Sequence, residues 1–138
     1  MILLDTNVLI YASLPTSDFN TWAVSTIADS VAGDGCAVDS VSLAEICVGD
    51  DDPASVTDRL GRWGVAVVDT PVSAAVACAA AFRTYRERRR NQSGSDAPAM
   101  PLPDFFIGAH ALVRGWDLAT ADPQRFRTYF PEVRLLTP

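Results

Sequence analysis

The 138-residue sequence predicts an α/β fold, a three-layer α/β/α arrangement with a mostly parallel central sheet of about five strands. Two observations carry this. Short apolar runs of strand length alternate with longer amphipathic segments, and no internal repeat breaks the alternation. Polar or acidic residues follow the apolar runs, where strand-to-helix turns are expected. The length fits one domain, spanning residues 1–138.

Taken in order, Ile2–Leu4 reads as a strand and Thr6 to Ala12 as a short helix. A helix from Asp18 to Ala32 carries Phe19, Trp22, Ala23 and Ile27 at helical spacing, which suits a core face. Cys36–Val38 is a strand, and the helix Ser42–Val48 stops at Gly49. Another short helix begins at Pro53, where proline suits the first turn. Val65–Val68 is the third strand, followed by a long helix from Pro71 to Arg90. Asn91–Leu102 has loop composition, with Gly and Pro among small polar residues. The helix Pro103–Arg114, a strand at Leu118–Thr120, a helical turn after Pro123 and a last strand at Val133–Leu136 complete the chain.

Composition excludes several classes. With 49% hydrophobic and 20% charged residues the chain is globular rather than disordered. Its longest apolar run, from Val72, falls short of the roughly 20 residues that span a bilayer. The amino terminus lacks the basic flank of a secretion signal. A cytoplasmic location is the expectation. Cys36, Cys47 and Cys78 are odd in number and far apart, and read as small core residues in a reducing compartment. The net charge of −6 argues against a general nucleic-acid coat. All eleven cations are arginine, so any phosphate contact falls to Arg, backbone N–H groups or a bound metal.

Acidic residues stand where the expected strands end and helices begin. Asp5 follows the first strand, Glu45 lies one turn into the helix after the second, Asp104 opens the otherwise apolar helix from Pro103, and Asp122 follows the fourth strand. Each has an ordinary structural explanation. Asp5 and Asp122 fit helix caps, Ser42 to Glu45 fits a capping box, and Asp104 suits a helix dipole. Asp39 and Asp69 also follow strands, and Asp39 reads as a cap. If the four acids converge, however, their mutual repulsion calls for a hard divalent cation such as Mg²⁺ or Mn²⁺.

The segments MILLDTNVLIYA, VSLAEI, LPDFFIGAHA and LATADPQRF, in this order and spacing, resemble the PIN-domain ribonucleases, and in particular the VapC-type toxins of bacterial type II toxin–antitoxin systems. The resemblance spans nearly the whole chain. It implies the strand order 3-2-1-4-5, with Asp5, Glu45, Asp104 and Asp122 as catalytic and metal-binding acids. It further implies endoribonuclease activity on tRNA or rRNA with Mg²⁺ or Mn²⁺, leaving 5′-phosphate and 3′-hydroxyl ends. The implied partners are a cognate VapB-type antitoxin and a second copy of the chain in a homodimer. Thr120 matches the family's Thr-x-Asp pattern. Thr6, Asn7 and Thr120 suit orientation of acids, waters or substrate, while Thr6 and Asn7 fit first-turn capping equally well.

His110, the only histidine, lies six residues from Asp104, about 120° away around a helix, so it reads as structural and a metal-free cleavage route lacks its usual base. Arg83, Arg86 and Arg90 form one stripe of the long helix, which is either a solvated face or an RNA contact. Arg114, Arg125 and Arg127 are weaker candidates. Asn7 stands where a haloacid-dehalogenase-type phosphotransferase needs a second Asp, and no P-loop motif is present. The competing reading is a catalytically inactive PIN-like module that acts only by binding protein or RNA.

Overall fold

The computed structural model describes residues 1–93 and 97–138. Five strands, β1 (Ile2–Leu4), β2 (Cys36–Asp39), β3 (Val65–Val68), β4 (Asp117–Ala119) and β5 (Leu135–Leu136), form one sheet in the order β3-β2-β1-β4-β5. Every neighbouring pair is parallel, so the sheet expected to be mostly parallel is wholly so. Seven α-helices connect and cover it: α1 (Thr6–Ala12), α2 (Asn20–Ala32), α3 (Ser40–Val48), α4 (Val56–Arg62), α5 (Ala74–Ser93), α6 (Pro103–Arg114) and α7 (Gln124–Tyr129).

Strand alternation creates two cores. Leu3 and Leu118 point to one face, where Phe82, Phe105, Ile107, Phe126 and Phe130 of α5, α6 and α7 bury them. Leu4 and Ala119 point to the other, against Val8, Ile27, Val56 and Leu60 of α1, α2 and α4. With apolar cover on both sides, the central strands are continuously hydrophobic. Gly108 lets α6 settle onto α7, because the Phe130 ring occupies the space a β-carbon would need. Among the described residues no helix is long and apolar enough to cross a membrane.

Several boundaries differ from expectation. Residues 16–19 turn before α2 starts at Asn20 rather than Asp18, and the Asn20 amide donates to the Tyr11 and Ala12 carbonyls at the end of α1. The segment after Pro53 is a 3₁₀ turn, Pro53–Ser55, followed by the separate helix α4. The long helix is displaced along the chain, starting at Ala74 and reaching Ser93. Part of the loop expected over 91–102 is therefore helical, and residues 94–96 of it lie outside the described residues. Pairing with β1 starts β4 at Asp117, and β5 keeps only two residues. Cys36 and Cys78 are buried and Cys47 half-buried; all three are free thiols.

The capping box does not form. The helix starts two residues early, at Ser40, because Asp39 is its N-cap and accepts from the amides of Val41 (3.1 Å) and Ser42 (2.9 Å). The Ser42 hydroxyl is buried without a partner. Asp39 does more than cap. Its other oxygen accepts from His110 Nδ1 at 3.1 Å, and both side chains are fully buried. Burial alone would raise the Asp39 pKa, but the His110 hydrogen bond and the Ser42 and Val41 amides together hold it below the ordinary range. The pair pins α6 to the start of α3, and so sets the elements that carry Asp104 and Glu45 against each other.

Removing one member of such a buried pair strands the other. Asp39→Ala should destabilise the fold by at least about 3 kcal/mol in urea denaturation. A loss under about 1 kcal/mol, the value of an ordinary cap, would show that the pair contributes nothing.

Candidate active site

The site is assembled where β1 and β4 end side by side, the point at which strand order reverses and open α/β sheets form their crevice. Asp5 leaves β1 with its backbone N–H bound to the Ala119 carbonyl of β4 at 2.9 Å. Its side chain is the N-cap of α1, where Oδ1 accepts from the Thr6 amide at 2.8 Å. Oδ2 accepts from the Thr120 hydroxyl and the Asn7 amide, each at 2.7 Å. Three donors thus fill three of the roughly four lone-pair positions of a carboxylate, leaving one facing outward.

Each of the supporting residues has a definite task. Thr120 is buried at the end of β4 and, while donating to Asp5, accepts from the Asp122 amide at 3.0 Å. Asn7 Oδ1 accepts from the Ala121 amide at 3.0 Å, so α1 is tied to the loop after β4. Thr6 donates its hydroxyl to Glu45 Oε2 at 2.5 Å, across 39 residues of sequence. Asn7 thus contacts Asp5 and the loop after β4 through one side chain. Thr6 combines a backbone role at the helix start with its contact to Glu45.

All four acids line one cleft of about 290 Å³, together with Thr6, Asn7 and Ile10. Asp5 is nearly buried, Asp104 half-buried, and Glu45 and Asp122 exposed at the rim. Asp5 is also a cap, as its place in the sequence allows; Asp122 is not, since α7 has no side-chain cap. Asp104 stands in the first turn of α6 and pairs with Arg125 of α7. Nothing in the sequence marks that pairing beyond the position of Arg125 three residues after Asp122. Arg83, Arg86 and Arg90 are exposed on α5 and do not line the cleft.

The electrostatics favour a cation. Burial drives the Asp5 pKa up from the ordinary 3.8 to about 6; the Thr120 hydrogen bond opposes this, the charge of Asp104 adds to it, the Thr6 amide opposes it and Glu45 adds again. The lining offers hard oxygen donors without thiolate or imidazole, which suits Mg²⁺ or Mn²⁺. As the side chains stand, no three acids among the described residues are grouped tightly enough to close on one ion. Asp104 is turned to Arg125 and Glu45 to Thr6.

A doubly covered parallel sheet with an acid-lined crevice at its switch point places the chain among open α/β domains that carry their site at the carboxyl ends of the strands. Residues 2–130 match the PIN-domain family model, and the chain belongs to that family of nucleases, whose members generally use divalent metal ions. Among solved structures, the chain is similar to VapBC2 from Rickettsia felis bound to a promoter DNA fragment, with 19% identity and a TM-score of 0.68 over 100% of this chain and 99% of that one. It is similar to FitAcB from Neisseria gonorrhoeae, with 23% identity and a TM-score of 0.65 over 99% and 96%. VapBC-1 from nontypeable Haemophilus influenzae gives 19% identity and a TM-score of 0.67 over 99% and 98%. No curated protein sequence matches the chain.

A carboxyl whose folded pKa is raised contributes stability at low pH and loses it as pH climbs through the folded value. For Asp5 that loss runs from about pH 4 to above pH 6 and reaches roughly 3 kcal/mol. A cation reverses it, and at low pH must first displace the proton. Mn²⁺ should therefore raise the melting temperature more at pH 7.5 than at pH 5.0. Equal shifts at the two pH values, or none, would contradict this account of Asp5.

Proposed function

We propose that the chain is the toxin of a toxin–antitoxin pair, a divalent-metal-dependent endoribonuclease that hydrolyses tRNA or rRNA in the cytoplasm. The observation that carries this reading is the convergence of Asp5, Glu45, Asp104 and Asp122, from four separate elements, on one cleft. Asp5 and Asp104 are the main holders of one or two Mg²⁺ or Mn²⁺ ions, with Glu45 and Asp122 completing the site directly or through water. When bound, such an ion acidifies a water for in-line attack and neutralises charge on the phosphate. Thr120 and Asn7 fix the Asp5 carboxylate, and Thr6 fixes Glu45, before substrate arrives. Asp104, paired with Arg125 in the present structure, would have to turn from it to hold such an ion. Cleavage leaves 5′-phosphate and 3′-hydroxyl ends. Arg83, Arg86 and Arg90 remain available for distant contacts to a large RNA.

The partner is a VapB-type antitoxin. An apolar groove of about 740 Å³ runs beside the acids, lined by Leu9, Ile10, Leu14, Ile46, Leu60 and Trp63. Ile10 and Glu45 line both groove and cleft, so a peptide seated there reaches the acids. Trp22 and Phe19 do not line it: Trp22 packs against the second core, and Phe19 rests on Tyr11 with ring centroids 5.2 Å apart. A homodimer, with the antitoxin spanning it, completes the assembly.

Cleavage of an RNA mixture in Mg²⁺ should fall by at least about 100-fold in EDTA or in Asp104→Asn, as removal of several kcal/mol of metal stabilisation requires. The variant should keep its melting temperature. Cleavage that survives both treatments would reject the metal mechanism, and no cleavage by folded wild type would favour the binding-only module. Trp63→Ala should weaken capture of the antitoxin in a pull-down while leaving the cleavage rate of the isolated chain unchanged; tight capture by this variant would move the partner off the groove.

A further inference from the structure

A second cavity, of about 300 Å³, shares Asp122 with the acid cleft. Its other lining residues are Arg88 and Gln92 from α5 and Gln124, Arg125, Thr128 and Tyr129 from α7, the Thr128 hydroxyl donating to the Gln124 carbonyl at 2.8 Å. Arg125 belongs to both regions, since it lines this cavity and pairs with Asp104 of the other. Arg88 sits over the Tyr129 ring, 5.7 Å from its centroid, and no carboxylate among the described residues pairs with it. A guanidinium held by a ring face keeps its in-plane N–H fork available. The Arg88 fork, the second guanidinium of Arg125 and the Gln92 and Gln124 side-chain amides, lining one cavity beside the acids, match a phosphate better than a neutral group.

We propose that this cavity is a phosphate subsite for single-stranded RNA, holding the backbone phosphate adjacent to the one over the acid cleft. This rests on the nuclease reading for its choice of ligand and deepens it. The contact is to backbone and not to base. Tyr129 is already covered by Arg88 and packed against Tyr85 and Phe105, so no free aromatic platform faces the cavity. Arg125 lines this cavity as well as reaching Asp104, so it is placed to meet the phosphate beside the acids.

The assignment departs from the stripe that the sequence singles out. At roughly 100° per residue, Arg88 lies about 160° around α5 from Arg86 and from Arg90, whereas Gln92 lies only about 40° from Arg88. Arg88 and Gln92 share the Tyr85 face, which packs toward Phe105 and Tyr129, whereas Arg83, Arg86 and Arg90 lie at least about 100° away from Tyr85.

The test compares Arg88→Gln with Arg134→Gln, which removes the same charge at the opposite end of the sheet, where Arg134 pairs with Asp117. Affinity for a labelled single-stranded oligoribonucleotide is measured by anisotropy in EDTA across a salt series. Losing one phosphate contact should lower the slope of log K against log salt by about 0.7 in Arg88→Gln and leave it unchanged in Arg134→Gln. Equal slopes in the two variants, or no RNA binding by wild type, would overturn the subsite. Cleavage with Mg²⁺ is scored separately. Wild type that binds with the Arg88-dependent slope but does not cleave would sink the nuclease reading and leave the subsite standing. Cleavage with an Arg88-independent slope would do the reverse.

Discussion

The position of Asp5 organises the rest of the site. A three-residue strand delivers its carboxylate between the ends of β1 and β4, nearly buried in the wall of the cleft, and three donors from Thr6, Asn7 and Thr120 hold it there. Each donor belongs to a segment that must also be in place for another reason. Thr6 reaches Glu45, Asn7 reaches the Ala121 amide, and Thr120 anchors Asp122. Moving any one of these segments would disturb Asp5, so the short strands and their turns behave as one unit. This is how a fold with few long elements at its centre achieves the precision that phosphoryl chemistry demands.

Behind that unit stands a second polar contact of a different kind. The Asp39–His110 pair is sealed from solvent and touches no part of the acid cleft. It links the helices bearing Glu45 and Asp104 through atoms that take no part in chemistry. His110 Nε2 and the Ser42 hydroxyl are buried without partners. The pair therefore sits in a region of incomplete polar satisfaction, where rigidity depends on few bonds.

Much of this was legible from the sequence, for identifiable reasons. Alternating apolar and amphipathic segments pointed to the fold class, because a parallel sheet with helices on both faces buries them all. That the four acids share one cleft was legible because each stands at a strand-to-helix turn or in the first turns of a helix on the same edge of the sheet. What stayed hidden was set by contacts far apart in sequence. The buried pairing of Asp39 with His110 joins residues 71 apart. The Arg125–Asp104 pair depends on how α7 packs against α6, which no local pattern encodes. The position of the arginine stripe outside the cleft was equally hidden, because charge density along a helix says nothing about which face meets the neighbouring helix.

The Asp104–Arg125 contact has a consequence for how the acid rim closes. Four like charges gathered at one rim would oppose closure of the chain, yet here one of them is neutralised by a residue the polypeptide itself supplies. The folded chain thus supplies an internal counter-ion to its own acid rim, so that closing the rim costs less repulsion than four unpaired carboxylates would.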